Sequence, residues 1–146
     1  MQNRVNKLFT LPVLLFISSF LIAQTGKVSD NLSIQSKILK MERKYAIYFP
    51  SGYETSQRSY PVLYLLHGSG DNQAGWIQFG EVFNIADAAI KSGSATAMVI
   101  VMPHADTGRR GYGNDVKNEW QYEDFFFQEF IPFIEKTCRI KTEKRY

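Results

Sequence analysis

Tyr60-Pro61-Val62-Leu63-Tyr64-Leu65-Leu66-His67-Gly68-Ser69-Gly70-Asp71 is the stretch from which the rest of the chain can be read. From Val62 to Leu66 every position is apolar, directly after a proline. A strand without a polar side is covered on both faces, as in the parallel sheets of α/β proteins. The reading is a buried central strand. His67 to Asn72 then switches to turn residues, so this loop runs at the carboxyl end of the strand.

Working outward, Ala97 to Met102 is a second continuous apolar run, closed by Pro103. Between the two runs, Val82, Ile85, Ala86, Ala89 and Ile90 recur at helical spacing, and Gly93 supplies a stop. Strand, helix and strand in this order predict a right-handed βαβ crossover. Upstream, Leu32–Leu39 and Arg43–Phe49 predict an antiparallel pair at a sheet edge, with Gln24–Asn31 a loose polar lead-in and Tyr53–Tyr60 a surface loop. Downstream, His104–Trp120 is a long loop rich in Gly, Asp, Asn and Arg. Tyr122–Cys138 is helical, and Pro132 inside it should kink or restart the helix.

Residues 1–23 read as a cleavable export signal. Arg4 and Lys7 precede an apolar stretch, Leu8–Ile22, that only Thr10, Pro12, Ser18 and Ser19 interrupt, and Ala23 offers a small residue before Gln24. The run falls short of the roughly 20 apolar residues of a membrane span. Export to the periplasm or the outside, with no membrane attachment after cleavage, is therefore expected. Residues 24–146 are then one domain. The formal charge of +3 falls to +1 without Arg4 and Lys7, which excludes a nucleic-acid footprint. With Cys138 the sole cysteine, no internal disulfide forms, and no Cys/His cluster suggests a metal; no cofactor is expected. Cys138 itself reads as a small buried hydrophobe near a helix end.

The stretch Tyr60–Asp71 resembles the third strand and oxyanion loop of α/β-hydrolases, in particular the putative-esterase family. Trp76, the run Met98-Val99-Ile100-Val101-Met102-Pro103 and the segment from Phe125 through Glu129-Phe130-Ile131-Pro132-Phe133-Ile134-Glu135 are similar to that family in the same order. The resemblance covers Ser33 to Tyr146. It implies a three-layer α/β-hydrolase sandwich with a mostly parallel central sheet, and a serine esterase acting on acyl or feruloyl groups of small molecules or polysaccharides. It further implies that the backbone N–H of Ser69 is an oxyanion donor, within a loop formed by His67, Gly68 and Gly70. The chemistry fits these residue types, because N–H groups must approach the developing oxyanion closely and small side chains leave the main chain bare.

Serine hydrolases of this fold place the nucleophile in G-x-S-x-G on a strand-to-helix turn, with the acid and then the histidine after it. That pattern does not occur in the sequence. The expectation is a chain truncated before the nucleophile elbow, with serine, acid and histidine beyond Tyr146. Such a fragment would be inactive, with an open apolar sheet edge that favours aggregation. His67 then fixes its loop through hydrogen bonds instead of serving as base, and His104 and Asp106 are loop residues near the site mouth. Trp76, Tyr112 and Trp120 are candidate substrate-lining aromatics, or else core and loop packing. Two other functions fit the residues: a non-catalytic secreted carbohydrate-binding or pseudoenzyme module, and an acyltransferase on the same scaffold.

Overall fold

The computed structural model describes residues 25–143, so the export signal expected over residues 1–23 lies outside the described residues. The strands are β1 (Lys27–Ser36), β2 (Met41–Phe49), β3 (Val62–Tyr64) and β4 (Val99–Pro103). They form one sheet in the order β1-β2-β4-β3. β1 pairs with β2 and β2 with β4 antiparallel, whereas β3 pairs with β4 parallel. The helices are α1 (Gly75–Gln78), α2 (Val82–Lys91), α3 (Tyr122–Phe125) and α4 (Ile131–Thr137), with a π-helical turn over Phe126–Phe130. No helix among the described residues is long and apolar enough to cross a membrane.

Side-chain alternation along β2 and β4 explains the layers. Tyr45 and Ile47 join Val99 and Val101 on one face, packed with Phe125, Phe130 and Ile134 from the C-terminal helical segment. Ala46 and Tyr48 join Ile100 and Met102 on the other face, where α2 contributes Val82, Phe83, Ala86 and Ile90. β4 is buried at every residue. Its unbroken apolar run is therefore the signature of a strand between two helical layers.

Two details differ from the sequence reading and a third agrees with it. The first strand starts at Lys27, inside the stretch read as a loose lead-in, and it ends at Ser36. The start is fixed from outside the strand. Asp87 on α2 accepts the Gly26 N–H (3.1 and 3.0 Å to its two oxygens) and the Tyr48 hydroxyl (2.6 Å). Side-chain packing at Gly26 leaves no room for a Cβ, which would overlap the Tyr48 ring and the Phe49 carbonyl. Residues 37–40 form the turn into β2, with Lys40 in the left-handed region at φ 53°.

The second difference is that β3 is not covered on both faces as its apolar run suggested, while its place at an edge of the described sheet agrees with the open apolar edge that was expected. Leu63 and Leu66 are 43% and 42% exposed. On the side away from β4, the contact among the described residues comes just before β3, where Tyr60 bridges Ile140 in parallel through Tyr60 N–H to Arg139 O and Lys141 N–H to Tyr60 O, both 2.8 Å. An apolar run is blind to this, since it reports what a strand requires and not how much of it is present.

Third, the α-helix restarts at Pro132, as the sequence reading expected. Helical winding continues from Tyr122 to Thr137, and the π turn falls just before the proline, which occupies the first turn of α4. Proline there has no N–H to leave unpaired, and the wider turn shifts the preceding carbonyls away from its ring. The same turn carries Glu129, whose carboxylate accepts from Ser36 Oγ (2.6 Å), Lys37 N–H (3.0 Å) and Ile38 N–H (3.2 Å). Ser36 Oγ in turn accepts the Leu39 N–H at 2.9 Å, so the β1–β2 turn is stitched by one carboxylate and one hydroxyl. Charge-assisted bonds of this kind contribute more than neutral ones. Glu129→Ala should lower unfolding stability by about 1–3 kcal/mol in urea titrations, and Glu129→Gln by less.

Candidate functional site

After β3 the chain makes one more sheet bond, Leu65 N–H to Val101 O at 2.9 Å, and then leaves as the loop His67–Asp71. Because β3 and β4 are parallel, both leave the sheet at the same end, and the loop after β4 lies against the loop after β3. The site is built from these two loops.

His67 is the anchor, only 5% exposed. Its Nε2 accepts the Ala105 N–H at 3.1 Å, which fixes the ring proton on Nδ1, and Nδ1 donates to Gly68 O at 2.9 Å. The His104 ring stacks on it at 5.3 Å between centroids, with Nδ1 3.4 Å from His67 Nε2. The His67 carbonyl accepts the Tyr112 hydroxyl at 2.9 Å. Thr107 Oγ1 donates to Gly68 O at 2.6 Å and accepts the Gly70 N–H at 3.1 Å, with His67 Nδ1 3.4 Å away. Asp71 N–H also reaches Gly68 O, at 3.4 Å. Gly70 sits at φ +75°, a conformation that favours glycine, whereas a Cβ at Gly68 would meet nothing within 4 Å.

Ser69 is exposed at the crest of this loop, and its N–H donates to no group among the described residues. On its two sides the Gly68 carbonyl and the Gly70 N–H are bonded, whereas the amides of His67 and Gly68, like that of Ser69, donate to no group among the described residues. Trp76 is 37% exposed and ties the loop's entry by donating its indole N–H to Leu66 O at 2.9 Å. Trp120 is 4% exposed. Its ring stacks on Tyr122, its N–H donates to Gly111 O at 2.7 Å, and Arg43 and Arg110 lie 5.2 and 4.7 Å from its centroid. It is thus both a core residue and one wall of an open hollow of about 490 Å³ beneath the Arg109–Glu119 loop.

The structure brings His67, Gly68, Ser69, Gly70 and Trp76 together, and holds Trp120 further round the second loop. Sequence reasoning missed Thr107 altogether and saw Tyr112 only as an aromatic ring. It also missed Arg43, whose Nη2 donates to His104 O at 2.6 Å. None of these has a sequence signal, since Thr107 lies in a polar loop and its partners are close only because β3 and β4 are parallel neighbours. Among the described residues, no three His, Cys, Asp or Glu side chains converge as metal ligands.

Residues 36–146 match the model of the Putative esterase family. The chain belongs to this family. It is 33% identical over 103 residues to an endo-1,4-beta-xylanase/feruloyl esterase of Xylanibacter ruminicola, covering 67% of this chain and 14% of that protein. It is 34% identical over 101 residues to an esterase of Mycobacterium tuberculosis, covering 66% of this chain and 20% of the relative. Among solved structures it resembles a ferulic acid esterase, with 36% identity and a TM-score of 0.75 over 80% of this chain and 46% of that one. The chain thus spans less than half the length of each of these relatives. The fold is that of α/β-hydrolase-type esterases.

Two expected outcomes follow from the electrostatics of the esterase-family loops. Burial pushes the Tyr112 hydroxyl up to about 12; the bond to the His67 carbonyl partly offsets this and Asp71 adds to it, so the group stays a donor at all ordinary pH. Tyr112→Phe should cost about 1 kcal/mol of stability in urea. His104 is held below its usual 6.5 by burial, with Arg43 and His67 adding to the effect. An unfolded chain therefore takes up a proton near pH 6.5 that the folded protein accepts only at lower pH. Stability from this group is intact above that value and declines as pH falls toward the folded pKa. In unfolding midpoints measured between about pH 7 and about pH 5, His104→Gln should flatten the decline.

Proposed function

We infer that this chain provides the oxyanion loop and the first strands of a secreted serine esterase that cleaves carboxylic esters. The observation that carries the reading is the unbonded N–H of exposed Ser69, flanked by a Gly68 carbonyl and a Gly70 N–H that are both held by hydrogen bonds. Attack on an ester carbonyl turns its oxygen into an oxyanion, and a donor already aimed at that position stabilises the transition state without reorganising. Ser69 N–H is the first such donor, and the amide following the nucleophile is the second. One oxyanion donor is typically worth ~2.7–4 kcal/mol of barrier. His67 serves as the loop's anchor, because both its ring nitrogens are already engaged by main-chain partners.

The nucleophile, acid and catalytic histidine are assigned to sequence outside residues 1–146, since no G-x-S-x-G occurs in them and His67, although 3.4 Å from the Thr107 hydroxyl, has both ring nitrogens engaged by main-chain partners. On its own the stretch to Tyr146 is then inactive. The similarity to a ferulic acid esterase and to a xylanase/feruloyl esterase supports an aromatic acyl ester, such as a feruloylated sugar, as substrate. Export is supported by Arg4, Lys7 and the apolar stretch Leu8–Ile22. Trp76, exposed beside the loop, is placed to pack against such a substrate.

The test uses the full-length product of the gene that contains this sequence, assayed for hydrolysis of methyl ferulate. Ser69→Pro, which removes the N–H, should lower kcat by about 100- to 1,000-fold. Ser69→Ala, which keeps the N–H, should stay within roughly three-fold of the parent. Equal turnover by the proline variant would sink the reading, as would failure of the full-length protein to hydrolyse the ester.

A further inference from the structure

We propose that Thr107 is a positioning residue for ester hydrolysis: by gripping the peptides on both sides of Ser69, its hydroxyl aims the Ser69 N–H at the oxyanion. This rests on the esterase reading above. In a trans peptide the C=O and the following N–H lie in one plane and point in opposite directions. Gly68 O and Ser69 N–H belong to one such plane. Whatever holds Gly68 O on the protein side therefore turns Ser69 N–H outward.

Three donors hold that oxygen, and the shortest bond is the one from Thr107 Oγ1, at 2.6 Å, against 2.9 Å from His67 Nδ1 and 3.4 Å from Asp71 N–H. The next peptide joins Ser69 C=O to Gly70 N–H, and that N–H donates back to the same Thr107 oxygen at 3.1 Å. One hydroxyl, with a single proton to give and lone pairs to accept with, thus spans both peptide planes flanking Ser69. His67 cannot do this, because it reaches only the first plane. A carbonyl that accepts hydrogen bonds also polarises its amide, which makes the attached N–H a stronger donor.

Thr107 reaches the loop because of the turn that precedes it. Asp106 adopts φ 54°, and its carbonyl accepts the N–H groups of Arg109 (3.0 Å) and Arg110 (2.9 Å). That turn holds Thr107 over the Gly68–Gly70 arc. Since the two loops belong to different strands, the hydroxyl also links oxyanion geometry to the loop that carries Tyr112 and Arg110. Thr107 touches no reacting atom and acts through Ser69.

The experiment compares Thr107→Val, Thr107→Ala and Thr107→Ser in the full-length protein with methyl ferulate as substrate. Loss of the hydroxyl in the valine and alanine variants should lower kcat about ten- to 100-fold with KM within about two-fold, because a misaimed donor costs transition-state and not ground-state binding. It should also speed hydrogen exchange at the Gly70 amide by about ten-fold. The serine variant, which retains the hydroxyl, should restore most of both. Unchanged kcat in the valine and alanine variants, a loss confined to KM, or a serine variant as impaired as valine would overturn the proposal. If the wild-type protein hydrolyses no ester, the esterase reading fails by itself, and Gly70 exchange still decides whether Thr107 grips the loop.

Discussion

The apolar strand Val99–Met102 has to be dry on both sides, and the placement of every other element answers that demand. Burying each Val, Ile or Met side chain contributes on the order of 1.5–3 kcal/mol, so exposing either face of β4 would be costly. α2 covers one face, and the aromatic segment from Tyr122 to Ile134 covers the other. With helices occupying both faces, the crossover through α2 returns the chain parallel to β3. Two loops are thereby delivered to the same end of the sheet.

That convergence is what makes a polar site affordable within a largely apolar frame. His67 is buried between the loops, yet each of its ring nitrogens has a main-chain partner, Ala105 N–H on one side and Gly68 O on the other. A buried imidazole left without them would be destabilising. The histidine acts as a rivet between the ends of β3 and β4, and Tyr112 and Trp76 tie the neighbouring carbonyls of His67 and Leu66. The unbonded Ser69 N–H lies on the exposed arc beyond this rivet.

Some buried polar atoms remain without partners among the described residues, namely the hydroxyls of Tyr64 and Tyr122 and the Nε of Arg43 and Arg139. Burial raises the pKa of both tyrosines, which keeps them neutral. Arg43 has compensation, since it lies over the Trp120 ring and donates to His104 O. Tyr64 belongs to β3, and on the side away from β4 the contact among the described residues is the Tyr60–Ile140 bridge just before it. The unsatisfied hydroxyl and the exposed Leu63 thus fall on this edge strand, and the exposed Leu66 follows just after it.

Element type was legible wherever the periodicity was long. The helix over Val82–Lys91 with its Gly93 stop, the continuous apolar runs and the antiparallel pairing of β1 with β2 could all be read from residue order alone. The loop His67–Asp71 was legible for the same reason, since a turn after an apolar strand has to emerge at the strand's end. Boundaries set by distant partners were not legible. β1 begins at Lys27 because Asp87, 61 residues from Gly26, captures that glycine's amide. The π turn that precedes Pro132 has no sequence signal either. Local sequence determined which amides are bare. Tertiary structure decided which way they point, because the hydroxyl and the imidazole that fix their planes meet only where two parallel strands end side by side.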